Sequence, residues 1–133
     1  MSDRYRRGVD IIQQLSSGSL EQFLTSRVAE VAPDFARMAV EFPFGDLYSR
    51  GNLAIRDREI AAISALATLG HAGPQLRTHG AAATTLGVSR SEIVEILMQS
   101  AIYAGFPAAL NALADCHDLL AEGDCVACSS SKA

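Results

Sequence analysis

The chain has 133 residues, 49% of them hydrophobic and 20% charged, with a formal net charge of −4 at pH 7. That length suits one domain with its own core, and we expect a single domain over residues 1–121 with a flexible tail over 122–133. The acidic balance and the lack of a long basic run argue against a nucleic-acid partner, and no apolar run approaches the roughly 20 residues of a membrane-spanning helix.

The apolar spacing is helical almost throughout. Tyr5, Val9, Ile12 and Leu15 predict a first helix from about Asp3 to Leu15, ended by Ser16-Ser17-Gly18. Arg4, Arg6 and Arg7 at its start, balanced by Asp3 and Asp10, read as a solvated helix end. Ser19 opens a second helix whose apolar face is Leu20, Phe23, Leu24, Val28 and Val31. Pro33 and Asp34 open a third, carrying Phe35, Met38, Ala39 and Phe42. From Phe42 to Asn52, turn residues mix with aromatics, which predicts a short helical turn and a loop, with Leu53 tucked inward.

Asp57 is the expected cap of the next helix, Arg58 to about Leu69, which is apolar on nearly every side and so reads as central and buried. Gly70 ends it. Gly73-Pro74 starts an Ala-rich helix that runs to Leu86 and stops at Gly87. Ser89-Arg90-Ser91-Glu92 is a capping box, with Ser at the cap and Glu three residues on. The helix behind it carries Ile93, Ile96, Leu97, Ala101 and Ile102 and ends at Ala104-Gly105. Pro107 opens the last helix, with Leu110, Leu113, Leu119 and Leu120. No segment reads as a strand. The expected fold is all-α, with six or seven helices in a bundle-like arrangement.

Few residues carry reactive chemistry. Of the three histidines, His71 lies in the Gly70–Gly73 turn and His117 late in the last helix. His79 sits among Arg77, Thr78 and Gly80, a polar patch within an otherwise apolar helix. If that helix pairs with the Arg58–Leu69 helix, a carboxylate from the Asp57–Glu59 end comes near it, and a histidine beside a carboxylate is the minimal acid–base pair. Tyr103 offers a phenol near a helix end, either as a ligand donor or as half-buried packing. Cys116, Cys125 and Cys128 are an odd count, which argues against a disulfide framework. Cys125-Val126-Ala127-Cys128 has redox spacing, but in a Ser-rich tail and not at a helix N-terminus, where a thiol is activated. The N-terminal charges are not followed by an apolar segment, so we expect no signal peptide and a cytoplasmic protein. Taken alone, these residues describe a helical domain with one histidine of interest.

Their order adds more. Phe44-Gly45-Asp46-Leu47-Tyr48-Ser49-Arg50 is followed by Leu53 and Arg56-Asp57-Arg58-Glu59, and then by Gln75-Leu76-Arg77-Thr78-His79. Gly87-Val88-Ser89-Arg90-Ser91-Glu92-Ile93-Val94-Glu95 and Ala101-Ile102-Tyr103-Ala104-Gly105-Phe106-Pro107 complete the series. In this order and spacing the chain resembles the γ-carboxymuconolactone decarboxylases over roughly residues 4–121. The resemblance implies an all-helical fold that assembles into a homo-oligomer, a trimer or hexamer. It implies a cytoplasmic carboxy-lyase of the protocatechuate/β-ketoadipate route of aromatic catabolism, acting on a small anionic lactone with no metal or organic cofactor. It matches His79 and Glu59 to catalytic positions; for the substrate carboxylates Arg50 and Arg58 are candidate clamps, or else surface or interface ion-pair residues, and Tyr103 is a further pocket candidate.

The related alkyl hydroperoxidase D-like proteins carry a Cys-x-x-Cys-x-x-x-His motif with an upstream Glu. Here the histidine matches His79, and the upstream Glu matches Glu59 with a one-residue shift. The cysteine positions fall on Ala72 and Gln75, so the thiol relay of that branch is missing. Two departures from the decarboxylase pattern bear on substrate: Tyr48 stands where an aromatic-rich segment usually has Trp, and Gly51 where Pro is usual. Two other readings are a thiol-dependent peroxide or disulfide reductase using Cys125 and Cys128, and a non-catalytic oligomeric scaffold.

Overall fold

A computed structural model describes residues 1–15 and 19–121. Every regular element among them is helical, as expected. They group into two compact units, Met1–Ile55 and a second that begins at Arg56. The tail and its Cys125 and Cys128 lie outside the described residues.

The first unit holds α1 (Asp3–Leu15), α2 (Ser19–Leu24), α3 (Arg27–Val31), α4 (Pro33–Val40) and a π-helical segment, Glu41–Tyr48. The expected second helix is thus two short ones. Ser26 interrupts it, because its side chain accepts from the Ala29 amide and caps α3, a local bond that competes with helix continuation. Helix α1 buries Gly8, Ile11, Ile12 and Leu15, one stripe at helical spacing. Helix α4 starts with Pro33, where a missing N–H costs nothing, and buries Ala36 and Val40.

The stretch expected to be a short helical turn and a loop is a helical segment over Glu41–Tyr48, wider and longer than expected and continuous with α4, followed by turns over 49–54. Its Pro43 cannot donate a backbone hydrogen bond. Two glycines let it lie against α1: a methyl on Gly8 would meet the Val40 carbonyl oxygen at 2.5 Å, and a methyl on Gly45 would collide with the Arg4 carbonyl oxygen. Side chains lock the pair. Arg4 grips both oxygens of Asp46, at 2.6 and 3.1 Å. Arg7 Nε and Ser49 Oγ both donate to the Gly45 carbonyl, at 3.1 and 2.6 Å. The N-terminal arginines therefore include two that hold tertiary structure, not only a solvated helix start. Leu53 is 44% exposed, not tucked inward.

The second unit contains α5 (Ile55–Leu69), α6 (Gly73–Thr85), α7 (Arg90–Ala104), α8 (Phe106–Asp115) and α9 (His117–Ala121). Its core is Ile63 and Ala67 of α5, Leu76 and Ala83 of α6, Val88, Ile93 and Leu97 of α7 and its approach, and Ala112 and Cys116. Fully burying a side chain of the Ile or Leu type contributes about 1.5–3 kcal/mol, and the alanines let the helix axes approach. The element borders follow the sequence signals closely. Gly70, Gly87 and Gly105 all adopt positive φ, between 79° and 93°, where a side chain would be strained. The Ser89–Glu92 capping box forms in both directions.

Three further expectations need correction. Helix α5 begins at Ile55, so Asp57 lies inside its first turn and does not cap it. Nor is α5 wholly buried: Glu59, Ile63 and Ala67 face inward, while Ala61, Ala65 and Leu69 are exposed. The expected last helix also divides, with Cys116 at the break.

Candidate active site

Glu59, Ile63 and Ala67 recur every four residues along α5 and form its buried stripe. A carboxylate thus occupies a place where the pattern calls for an apolar side chain, and Glu59 is 0% exposed. Isolated burial of a charge is costly, so such a group needs a partner. The partner is His79, whose Nδ1 lies 2.7 Å from Glu59 Oε2. His79 comes from α6 between Leu76 and Ala83, the two residues that seat this helix in the core. Its ring is 24% exposed.

This geometry divides the work of the two ring nitrogens. Nδ1 is committed to Glu59, which leaves Nε2 as the nitrogen that can meet a ligand. With Glu59 ionised, Nδ1 carries a proton and donates it to the carboxylate. A second proton on Nε2 gives an imidazolium whose charge is balanced by a carboxylate shielded from water. Glu59 Oε1 is also buried and has no hydrogen-bond partner among the described residues, where the polar support of this carboxylate comes from His79.

The other two histidines are placed differently. His71 is exposed, and His117 is an exposed residue beside Asp118. Glu92 accepts from the Ser89 amide and also meets Arg56 at 3.2 Å. The Ser89 hydrogen bonds, aided by Arg56, hold its carboxyl below the usual carboxylate range. It is a structural cap. Cys116 is buried; burial pushes its thiol up, and the neighbouring Asp115 charge pushes it further. That is the opposite of what a nucleophilic thiolate needs. Among the described residues no three His, Cys, Asp or Glu side chains gather as a metal site would require.

Of the remaining expected site residues, Arg58 adjoins Glu59 on α5 and is half-buried. Arg50 follows the π-helical segment in the first unit and is exposed, its amide bonded to the Leu47 carbonyl at 3.1 Å. Tyr103 lies on the outer face of α7 and is 77% exposed. The structure therefore brings Glu59 and His79 into contact and sets Arg58 one residue along the chain from Glu59.

Fold and site together define a small all-helical protein built around a histidine anchored on a buried carboxylate. The chain belongs to the carboxymuconolactone decarboxylase family, whose model matches residues 33–114. It is 27% identical over 105 residues to 4-carboxymuconolactone decarboxylase of Acinetobacter baylyi (strain ATCC 33305 / BD413 / ADP1), covering 79% of this chain and 78% of that protein. It is 30% identical over 107 residues to an uncharacterized 15.0 kDa protein of the nqo9-nqo10 intergenic region of Paracoccus denitrificans, with 80% of each chain covered. No helix of the described residues is long and apolar enough to cross a membrane.

Proposed function

We propose that this chain is a cofactor-independent carboxy-lyase acting on a small carboxylated lactone, with His79 as the proton donor. The observation that carries the reading is the 2.7 Å contact between His79 Nδ1 and the wholly buried Glu59. The chemistry fits such a pair. The bond between the ring carbon and the carboxylate breaks and CO₂ leaves. The electron pair moves through the conjugated ring to the lactone oxygen and forms a dienolate. A proton is then added at the ring carbon next to the lactone carbonyl, not at the carbon that lost CO₂, and the dienolate collapses to the enol-lactone. An imidazolium at His79 Nε2 stabilises the growing negative charge and supplies that proton. Glu59 orients the ring and balances the imidazolium. Arg50 and Arg58 are the proposed clamps for the substrate carboxylates, whose planar shape a guanidinium fork matches, and Tyr103 is a proposed pocket residue.

The test is loss of the conjugated lactone absorbance on incubation with 4-carboxymuconolactone. Turnover by the wild-type chain that falls about 100-fold or more in His79→Gln supports the reading. A wild-type chain that leaves the lactone untouched, or a variant that turns over normally, would sink it. Peroxide consumption abolished by Cys125→Ser or Cys128→Ser would favour thiol chemistry instead.

The same reading takes the protein as a cytoplasmic homo-oligomer, a trimer or hexamer. Large apolar side chains stand in solvent in both units: Val31 and Phe35 in the first, Ile102 and Phe106 in the second. Exposed apolar residues of this size are candidates for an association surface. Light scattering on the purified chain reads the assembly directly, and a monomer at micromolar concentration would overturn it.

A further inference from the structure

Helix α9 contains only five residues, His117–Ala121, yet it is tied to the rest of its unit at three points. Arg90 Nε donates to the Leu119 carbonyl at 2.8 Å. Leu120 packs against the core cluster. Leu119 covers Gly80: a methyl built on Gly80 would meet Leu119 Cδ2 at 2.9 Å, and no other atom of the described residues outside α6 lies within 4 Å of it. Gly80 directly follows His79.

From this contact we infer that Leu119 is a positioning residue for His79. It covers the turn of α6 that carries the imidazole, while the core side chains Leu76 and Ala83, one turn to either side, seat the same helix. The buried Glu59 carboxylate cannot follow a displaced ring, because it is enclosed and 0% exposed. A small shift of α6 therefore lengthens the 2.7 Å bond instead of being absorbed elsewhere. Gly80 has no side chain of its own, and the isobutyl group of Leu119 fills that space. The Arg90 bond to the Leu119 backbone holds α9 in place over it. The assignment as a positioning residue rests on the proposed role of His79 as proton donor; the contact itself does not.

The experiment uses the full chain with ¹⁵N-labelled histidine, and His79 is assigned through His79→Gln. In Leu119→Ala the space above Gly80 empties, and the His79 ring-nitrogen shifts and titration midpoint move, while those of the exposed His71 and His117 stay. In Gly80→Ala/Leu119→Ala a methyl refills the space from the other side, and the His79 signals return toward wild type. If the chain turns over the lactone, kcat falls about 10- to 100-fold in Leu119→Ala, as expected for a misplaced catalytic group, with KM little changed, and recovers in the double variant. A lower Tm with an unmoved His79 would make Leu119 ordinary packing and overturn the inference. So would a folded double variant in which His79 stays displaced. A chain inactive toward the lactone would sink the decarboxylase proposal but leave the nitrogen signals to decide this one.

Discussion

His79 Nδ1 and Glu59 Oε2 lie 2.7 Å apart, one on a ring about a quarter exposed and the other on a carboxylate with no exposure at all. This asymmetry separates two substitutions that resemble each other on paper. Glutamine at position 79 keeps an N–H that can reach Glu59. Alanine leaves a buried carboxylate without a donor, a loss of about 3 kcal/mol or more at neutral pH. We expect His79→Gln to unfold near the wild-type temperature and His79→Ala well below it, with both lacking turnover. Equal thermal stability of the two in calorimetry would contradict the burial argument.

Gly8 and Gly45 both face backbone at close range, with Val40 Cγ1 also beside Gly8. The Val40 carbonyl stands over one and the Arg4 carbonyl over the other. Backbone cannot step aside as a side-chain tip can, so Gly8→Ala and Gly45→Ala must push α1 off the π-helical segment. Each should cost about 1–3 kcal/mol, read from urea unfolding. Because that segment leads directly to Arg50, the same variants should raise KM if Arg50 clamps the substrate.

The hydrogen bond and charge of Arg4 hold the Asp46 carboxyl below its usual range. A carboxyl depressed in the folded state adds stability that is present above its unfolded value, about pH 4, and is lost as pH falls through the folded value. Asp46→Asn should therefore lower stability at pH 7 and flatten the acid limb of the unfolding curve between about pH 5 and pH 2. A variant whose stability falls with acid as steeply as the wild type would show that Asp46 contributes nothing to that limb.

Cys116 is 1% exposed, and its thiol is pushed up by burial. Iodoacetamide at pH 7.5 should leave it unmodified in the folded chain and label it once urea is added. Peptide mapping by mass spectrometry separates it from Cys125 and Cys128. Rapid labelling of native Cys116 would show that α8 and α9 open around it.

Helix existence and most borders were legible because their causes are local. The Ser89 capping box, the glycines at 70, 87 and 105, and the prolines at 33, 74 and 107 each act within a few residues. The break at Ser26 is also local, but a single serine within an apolar helical pattern does not announce whether its side chain will turn back to cap. Of the π-helical segment, a short helical turn was legible, but not its width, its length or its continuity with α4. Phe42–Tyr48 has the composition of a turn, and what holds it helical is α1, through residues some forty positions away: Arg4 on Asp46 and Arg7 on the Gly45 carbonyl.

The candidate site divides in the same way. The ordered segments from Phe44 to Pro107 pointed to the family and to His79, but a helix read as apolar on nearly every side gave no sign that Glu59, Ile63 and Ala67 are its inward stripe. By hydropathy alone a glutamate in the first turn of a helix belongs in water, where it favours the helix dipole. Only tertiary packing put Glu59 out of reach of solvent and set His79 of α6 against it. Periodicity and capping are properties of neighbours along the chain, so the sequence by itself determined that the chain is helical and where most of its helices begin and end. Burial of a charge beside a particular ring depends on where two helices cross, and that the tertiary structure alone decided.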